Sequence, residues 1–148
     1  MRTRLALITA ACLAVATYAG ADTLSATPLT GSGVNLSTTQ TGNGNSTNTM
    51  DRGYTLGGPV LLTIVSTVGA TPTVTVDIQG SMDGSTFFNI PYSLPATPDT
   101  WAVAALTITT ATTGHYFLRP EAPWRYLRLV YSSNTNVTLT ADAFPAWP

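Results

Sequence analysis

The chain has no lysine and only one cysteine, one histidine and one glutamate in 148 residues, and charged side chains make up 9% of it. Each scarcity removes a class of function. All six basic residues are arginines, set against six aspartates and Glu121, and the formal net charge is −1. Binding to nucleic acid needs clustered positive charge to displace counterions from phosphates, and the chain has no such cluster. The cysteine, Cys12, lies in the apolar N-terminal stretch. The body of the chain therefore forms neither an internal disulfide nor a thiolate metal site. Thr9-Ala10-Ala11 also lacks the branched aliphatic residue that a lipoprotein anchor at Cys12 would want. His115 stands beside Gly114 at the start of a predicted strand, and base catalysis needs a partner to orient the ring. The carboxylates are scattered: Asp77 in mid-strand, Asp83 in a turn, Asp99 at the end of a Pro-rich loop, Asp142 near the end of the last strand. None falls at the spacing of a paired-acid or metal-ligand motif. Gly42-Asn43-Gly44 lacks the lysine and the following helix of a phosphate loop. The expectation is a protein with no catalytic residue, no cofactor and no metal.

What the chain does have is threonine, 28 of them, and apolar/polar alternation. TVTVDIQ (Thr73–Gln79), YLRLVY (Tyr126–Tyr131) and VTLTADA (Val137–Ala143) alternate with a period of two. In the first, Val74, Val76 and Ile78 point one way and Thr73, Thr75, Asp77 and Gln79 the other, as a sheet with one buried and one wet face requires. Val60–Val68 is apolar on both faces for part of its length, which suits a central strand. Gly69-Ala70-Thr71-Pro72 predicts a turn, and Asp83-Gly84 a hairpin that returns as Thr86–Ile90. Pro91 to Asp99 is expected to leave the sheet. Trp101–Thr110, Tyr116–Leu118, Tyr126–Tyr131 and Val137–Phe144 then complete about eight strands, with Pro120 and Pro123 barring a strand between Leu118 and Tyr126. The predicted fold is an all-β antiparallel sandwich or jelly-roll-like barrel over residues 54–144, preceded by an extended N-terminal arm.

Residues 1–21 carry two early arginines, the apolar run Leu5–Tyr18 and the small residues Ala19-Gly20-Ala21, the form of a secretory signal peptide. The run is too short to span a bilayer comfortably, so no stable membrane anchor is expected. The alternative is an arm that stays attached and packs on a neighbour through Leu5, Ile8, Leu13 and Val15. Residues 22–53 are rich in Thr, Ser, Asn and Gly and cannot bury enough surface to fold alone. They read as a linker or as an arm ordered by a partner, with Val34 and Leu36 on a short strand able to add to a sheet edge. Asn35-Leu36-Ser37, Asn45-Ser46-Thr47 and Asn136-Val137-Thr138 match the glycosylation pattern, which chance explains in so Asn/Ser/Thr-rich a chain. Among the aromatics, most suit core or cross-strand packing. Trp124 with Arg125, after Pro123, and Trp147 in the tail 145–148 are the surface candidates.

TVTVDIQGSMDGSTFFNI (Thr73–Ile90) followed by WRYLRLVYSSNTNVTLTADAF (Trp124–Phe144) resembles the small virion proteins of tailed bacteriophages, in particular capsid decoration or cement proteins. The likeness covers about half the chain and is one of strand and turn. It implies a β-sandwich or barrel that clamps the outer capsid surface, commonly as a homotrimer, with the major capsid protein and its own copies as partners. The leader-like N-terminus departs from that pattern, since a virion assembled in the cytoplasm needs none. It keeps open a secreted or periplasmic module, released after Ala21, that holds a glycan or surface polymer on exposed aromatics such as Trp124. A phage tail or fibre component shares the same predicted fold.

Overall fold

The computed structural model describes residues 33–53, 58–119 and 124–145, and among these every regular element is a strand. In chain order they are β1 (Val34–Gln40), β2 (Gly44–Asn45), β3 (Met50–Asp51), β4 (Val60–Ser81), β5 (Phe88–Asn89), β6 (Tyr92–Leu94), β7 (Thr97–Ala102), β8 (Leu106–Ile108), β9 (Thr112–Leu118) and β10 (Tyr126–Pro145). All pairings are antiparallel and join the ten strands into one hydrogen-bonded sheet whose main path runs β1-β10-β4-β9-β6-β7. The all-β class predicted from alternation is the one observed. The described residues lie in one compact unit, Gly31–Pro148.

The sheet is organised by two long strands, β4 with 22 residues and β10 with 20. They pair from Tyr126 opposite Ser81 to Pro145 opposite Val60, and both bend at the same level. The register slips between Ser132 and Val137, where Ser133 and Asn136 take φ of 53° and 54°; on β4, Thr71 takes φ of 48° just before Pro72. Left-handed backbone is unfavourable for a β-branched residue, so Thr71 is held there by its surroundings. Asparagine side chains satisfy the backbone groups that the bend takes out of the ladder. Asn136 Nδ2 donates to the Ala70 carbonyl at 2.7 Å, and Asn134 Oδ1 accepts from Val137 N at 3.2 Å. Asn43 Oδ1 accepts from Asn134 N at 2.8 Å. A strand that changes direction through such a bulge can serve two halves of a sheet at once.

The first half contains the N-terminal part of β4 and the C-terminal part of β10, flanked by β1 on one side and β9, β6 and β7 on the other. The second half contains the remaining parts of both, with β5 and β8 on β4 and with β2 and β3 on β10. Alternation gives each half an apolar face. Leu62, Ile64, Leu139 and Ala141 from the first half and Val74, Val76, Leu127 and Leu129 from the second belong to one buried cluster. Burial of each such aliphatic side chain is worth roughly 1.5–3 kcal/mol. The halves also touch through polar bonds: Tyr131 Oη donates to Ser37 Oγ at 3.0 Å, and Asn48 N to the Leu36 carbonyl at 2.9 Å.

Several local expectations change. Gly69–Pro72 and Ser132–Val137 do not separate strands; each is a bend within one continuous strand, because hydrogen bonding resumes on the far side. Pro91–Asp99 does not leave the sheet, since Tyr92–Leu94 pairs with β9 and β7 pairs with β6. Trp101–Thr110 is broken at Val103–Ala105, so that β8 crosses to the other half and pairs with Val74–Val76. Residues 34–51 are not a separate arm. β1, β2 and β3 all pair with β10, and Leu36 and Met50 are core residues. The low apolar content of this stretch suffices because β10 offers it an open edge and because Ser46 is bonded throughout: its Oγ donates to the Asn48 carbonyl and accepts from Leu129 N.

Ser66 closes the bend on the β9 side. Its buried hydroxyl donates to the Thr110 carbonyl at 3.0 Å and accepts from Thr112 N at 3.0 Å. Ser66→Ala removes this partner from the Thr110 carbonyl and the Thr112 N–H and is expected to cost about 1 kcal/mol, read as a lowered urea midpoint with an unchanged m-value. The Tyr131 phenol, whose pKa burial raises from 10.0 to about 12 against partial opposition from the Ser37 hydroxyl, makes stability pH-dependent. An acid whose folded pKa is raised stabilises the fold fully below its unfolded pKa, so this contribution is present below pH 10.0 and is lost as pH rises to about 12. Thermal melts across that window should fall steeply for the native chain and less steeply for Tyr131→Phe. The slope that remains belongs to Tyr116 and Tyr92, whose pKa values burial also raises.

Candidate functional site

The outward face of the first half is built in rows across β10, β4 and β9. Phe144, Leu61 and Phe117 face one another in the first row, Asp142, Thr63 and His115 in the next, Thr140, Val65 and Thr113 in the third. Asn35 on β1 extends the second row, its Nδ2 donating to Asp142 Oδ1 at 2.8 Å, and Thr63 Oγ1 lies 3.1 Å from His115 Nδ1. This is the place where the lone histidine and an acid come nearest to a shared row, and its order is wrong for nucleophilic catalysis. A triad needs the imidazole between hydroxyl and carboxylate; here the hydroxyl stands between the other two. Thr63, Thr113 and Thr140 give this face hydroxyls beside its few ionisable groups.

The outward face of the second half carries a hydrogen-bonded chain that crosses β10, β4 and β5. Arg128 Nε and Nη2 both donate to Gln79 Oε1 at 3.0 and 2.9 Å. Gln79 Nε2 donates to Asn89 Oδ1 at 3.0 Å, and Asn89 Nδ2 to Asp77 Oδ1 at 3.2 Å. The Arg128 guanidinium also lies 3.8 Å from the centroid of the Phe87 ring. Beside it, Arg125 forms a two-pronged ion pair with Asp51, Nε to Oδ1 at 2.7 Å and Nη2 to Oδ2 at 2.9 Å, and sits 4.9 Å from the Tyr126 ring. That pair holds the Asp51 carboxyl below its usual range, helped by the Gly53 N–H. The hairpin is fixed by its own turn. Asp83 accepts from the backbone N–H of Thr86 and Ser85 and from the Ser81 hydroxyl, which together keep its carboxyl well below the carboxylate range, and Gly84 takes φ of 75°. Phe88 and Met82 are exposed at the hairpin's rim.

A second exposed apolar region lies at the far edge of the first half. β7 ends the path of the sheet and is exposed along nearly its whole length. Leu94, Trp101 and Val103 are exposed there, at 45%, 37% and 60%, whereas most other large apolar side chains among the described residues are covered. Arg119 lies over the Trp101 ring at 5.7 Å.

The residues singled out from sequence fare differently. Leu5, Ile8, Leu13, Val15 and Trp147 lie outside the described residues. Val34 is half-buried against the core, whereas Leu36 is wholly buried in it. Trp124 is not a surface residue: it is 0% exposed, packed over Gly80, where a Cβ would stand 2.8 Å from the Trp124 Cβ, and covered by the Arg52 guanidinium at 4.2 Å. Arg52 is itself buried, donating to the Trp124 carbonyl at 3.3 Å and the Gly58 carbonyl at 2.8 Å; its desolvation lowers its pKa. Arg125 is on the surface but engaged with Asp51. Sequence reasoning did not single out Arg128 or Leu94, and it favoured core packing over surface contact for Phe87 and Trp101. Arg128 carries a legible signal, as the one charged residue in the alternating strand YLRLVY.

No protein-family model matches the chain, and no curated protein matches it. The crystal structure of the SPBc2 prophage-derived protein YomS is similar in fold, with a TM-score of 0.53 over 77% of this chain and 91% of that one, at 10% sequence identity.

Proposed function

We propose that this chain is a non-enzymatic structural component of a bacteriophage particle, one that covers the outer capsid surface as a decoration protein. The observation that carries the reading is the fold likeness to a prophage-derived protein, which takes in 91% of that protein's length. The surface chemistry supports it. Broad outward faces of hydroxyls and amides are cheap to desolvate compared with charge, and symmetry multiplies many weak contacts into a strong attachment. Asp51, Asp77, Asp83 and Asp142 each accept a hydrogen bond that ties strands or turns together, a structural use of the acid. The partners on this reading are the major capsid protein and further copies of this chain, with a homotrimer as the expected unit. Burial of Trp124 removes the leading aromatic from the rival reading, a secreted glycan-binding module.

Particles of a phage encoding this chain provide the test. Mass spectrometry of purified particles is expected to find the chain at a fixed ratio to the capsid protein, and antibody labelling to mark the shell. Absence from particles, or label confined to the tail, overturns the reading. The attachment segment can be examined by truncation, and the structure dictates where to cut. Removing residues 1–32 is expected to leave the sheet folded and to lower particle occupancy. Removing residues 1–50 also takes away Leu36, Ser37 and Met50 from the interior and is expected to abolish the cooperative thermal transition.

A further inference from the structure

We propose that two copies of this chain meet head to tail, with Arg128 on the hairpin face of one copy pairing with Asp99 on the β7 edge of the other. The idea deepens the self-association in the reading above and rests on that part of it alone; it does not need the shell.

The argument starts from the scarcity of charge. In a chain this poor in ionisable groups, nearly every described one is already occupied within the molecule. Asp51 holds Arg125, Asp77 accepts from Asn89, Asp142 from Asn35, and Asp83 organises its own turn. Arg52 and Arg119 lie over tryptophan rings. Two groups of opposite sign stand apart from this pattern. Asp99, on an exposed strand, makes no hydrogen bond or ion pair among the described residues. Among the described residues, Arg128 is hydrogen-bonded only to the neutral oxygen of Gln79 and has no carboxylate within ion-pair reach.

Arg128 is also prepared for a partner. Its Nε and Nη2 are fixed by Gln79 and its plane by Phe87, so the side-chain entropy of ordering a long arginine is already spent, while Nη1 makes no hydrogen bond among the described residues. Each of the two groups stands beside exposed apolar surface. Asp99 shares a strand face with Trp101, two residues on, with Leu94 across the turn. Arg128 sits against Phe87, with Met82 at the hairpin rim. Aromatic, methionine and arginine side chains around a charge of one sign make up the composition typical of an interface centre. β7 ends the first half of the sheet and Arg128 lies on the second, and among the described residues the two groups form no ion pair with each other. Two different patches on one chain that complement each other give a heterologous contact, the kind that closes rings.

Charge reversal on the full-length chain, followed by sedimentation equilibrium, is the test. The native chain is expected to self-associate, with assembly weakened by added salt. D99R and R128E are each expected to weaken it by about 10-fold or more, and the D99R/R128E double variant to recover most of the loss. A native chain that stays monomeric to its solubility limit, single variants that assemble like the native chain, or a double variant that recovers nothing overturns the proposal. R128E gives up the Gln79 and Phe87 contacts, so its melting curve is recorded alongside. If it does not fold, D99R and D99N decide, since Asp99 has no bond to lose: weakened assembly in both supports the contact, and native assembly in either sinks it. Particle occupancy is scored separately. A monomeric chain that still labels the capsid removes this contact and spares the shell reading, and an assembling chain missing from particles does the reverse.

Discussion

The rest of the structure depends on one constraint: β4 and β10 must stay paired on both sides of a shared bend. A strand of 22 residues serves two halves of a sheet only if its backbone can turn without stranding N–H and C=O groups in the interior. The chain meets this with Pro72, which has no N–H to strand, and with asparagines whose amides stand in for missing ladder partners. Because the bend belongs to both strands, neither half can shift register without disturbing the other. Everything attached to them inherits that fixed geometry, including the Arg128 face and the β7 edge.

Alternation carried most of the fold in a readable form. Val74, Val76 and Ile78 were expected on one face of TVTVDIQ, and all are buried; in YLRLVY the alternate positions Leu127, Leu129 and Tyr131 are buried while Arg128 faces outward. The hairpin at Asp83-Gly84 was equally plain, because the turn chemistry is local. The bends were not, since Gly-Ala-Thr-Pro and Ser-Ser-Asn-Thr-Asn read alike whether a strand ends or turns a corner. What decides is the partner strand far away in the chain. The same blindness explains residues 34–51. Composition marks them as too polar to fold alone, which holds for an isolated segment but not for one supplied with the open edge of β10. Trp124 was misplaced for a related reason: Pro123 before it suggested a loop, and nothing local announced that Gly80 leaves a flat place for the indole.

Surface and interior divide the chemistry unusually in this molecule. The interior accepts a cation, Arg52, and a row of serines, each bonded where it lies apart from Ser93, whose hydroxyl finds no partner among the described residues. The outside is dressed in threonine. Such a surface binds water through its hydroxyls, and a net charge of −1 offers little mutual repulsion between copies. It also means that the few ions that are present have unusual weight in deciding which faces meet.

The start of β1 lies next to the end of β10, Val34 facing Ala143. The chain therefore enters and leaves the folded body at one place. A pull between those two ends would peel β1 away one bond after another, the geometry of a zip fastener, instead of loading a whole row of bonds in shear. The body thus has a mechanically soft seam where β1 begins and β10 ends, and a mechanical load is better borne through the faces of the sheet than along those two strands.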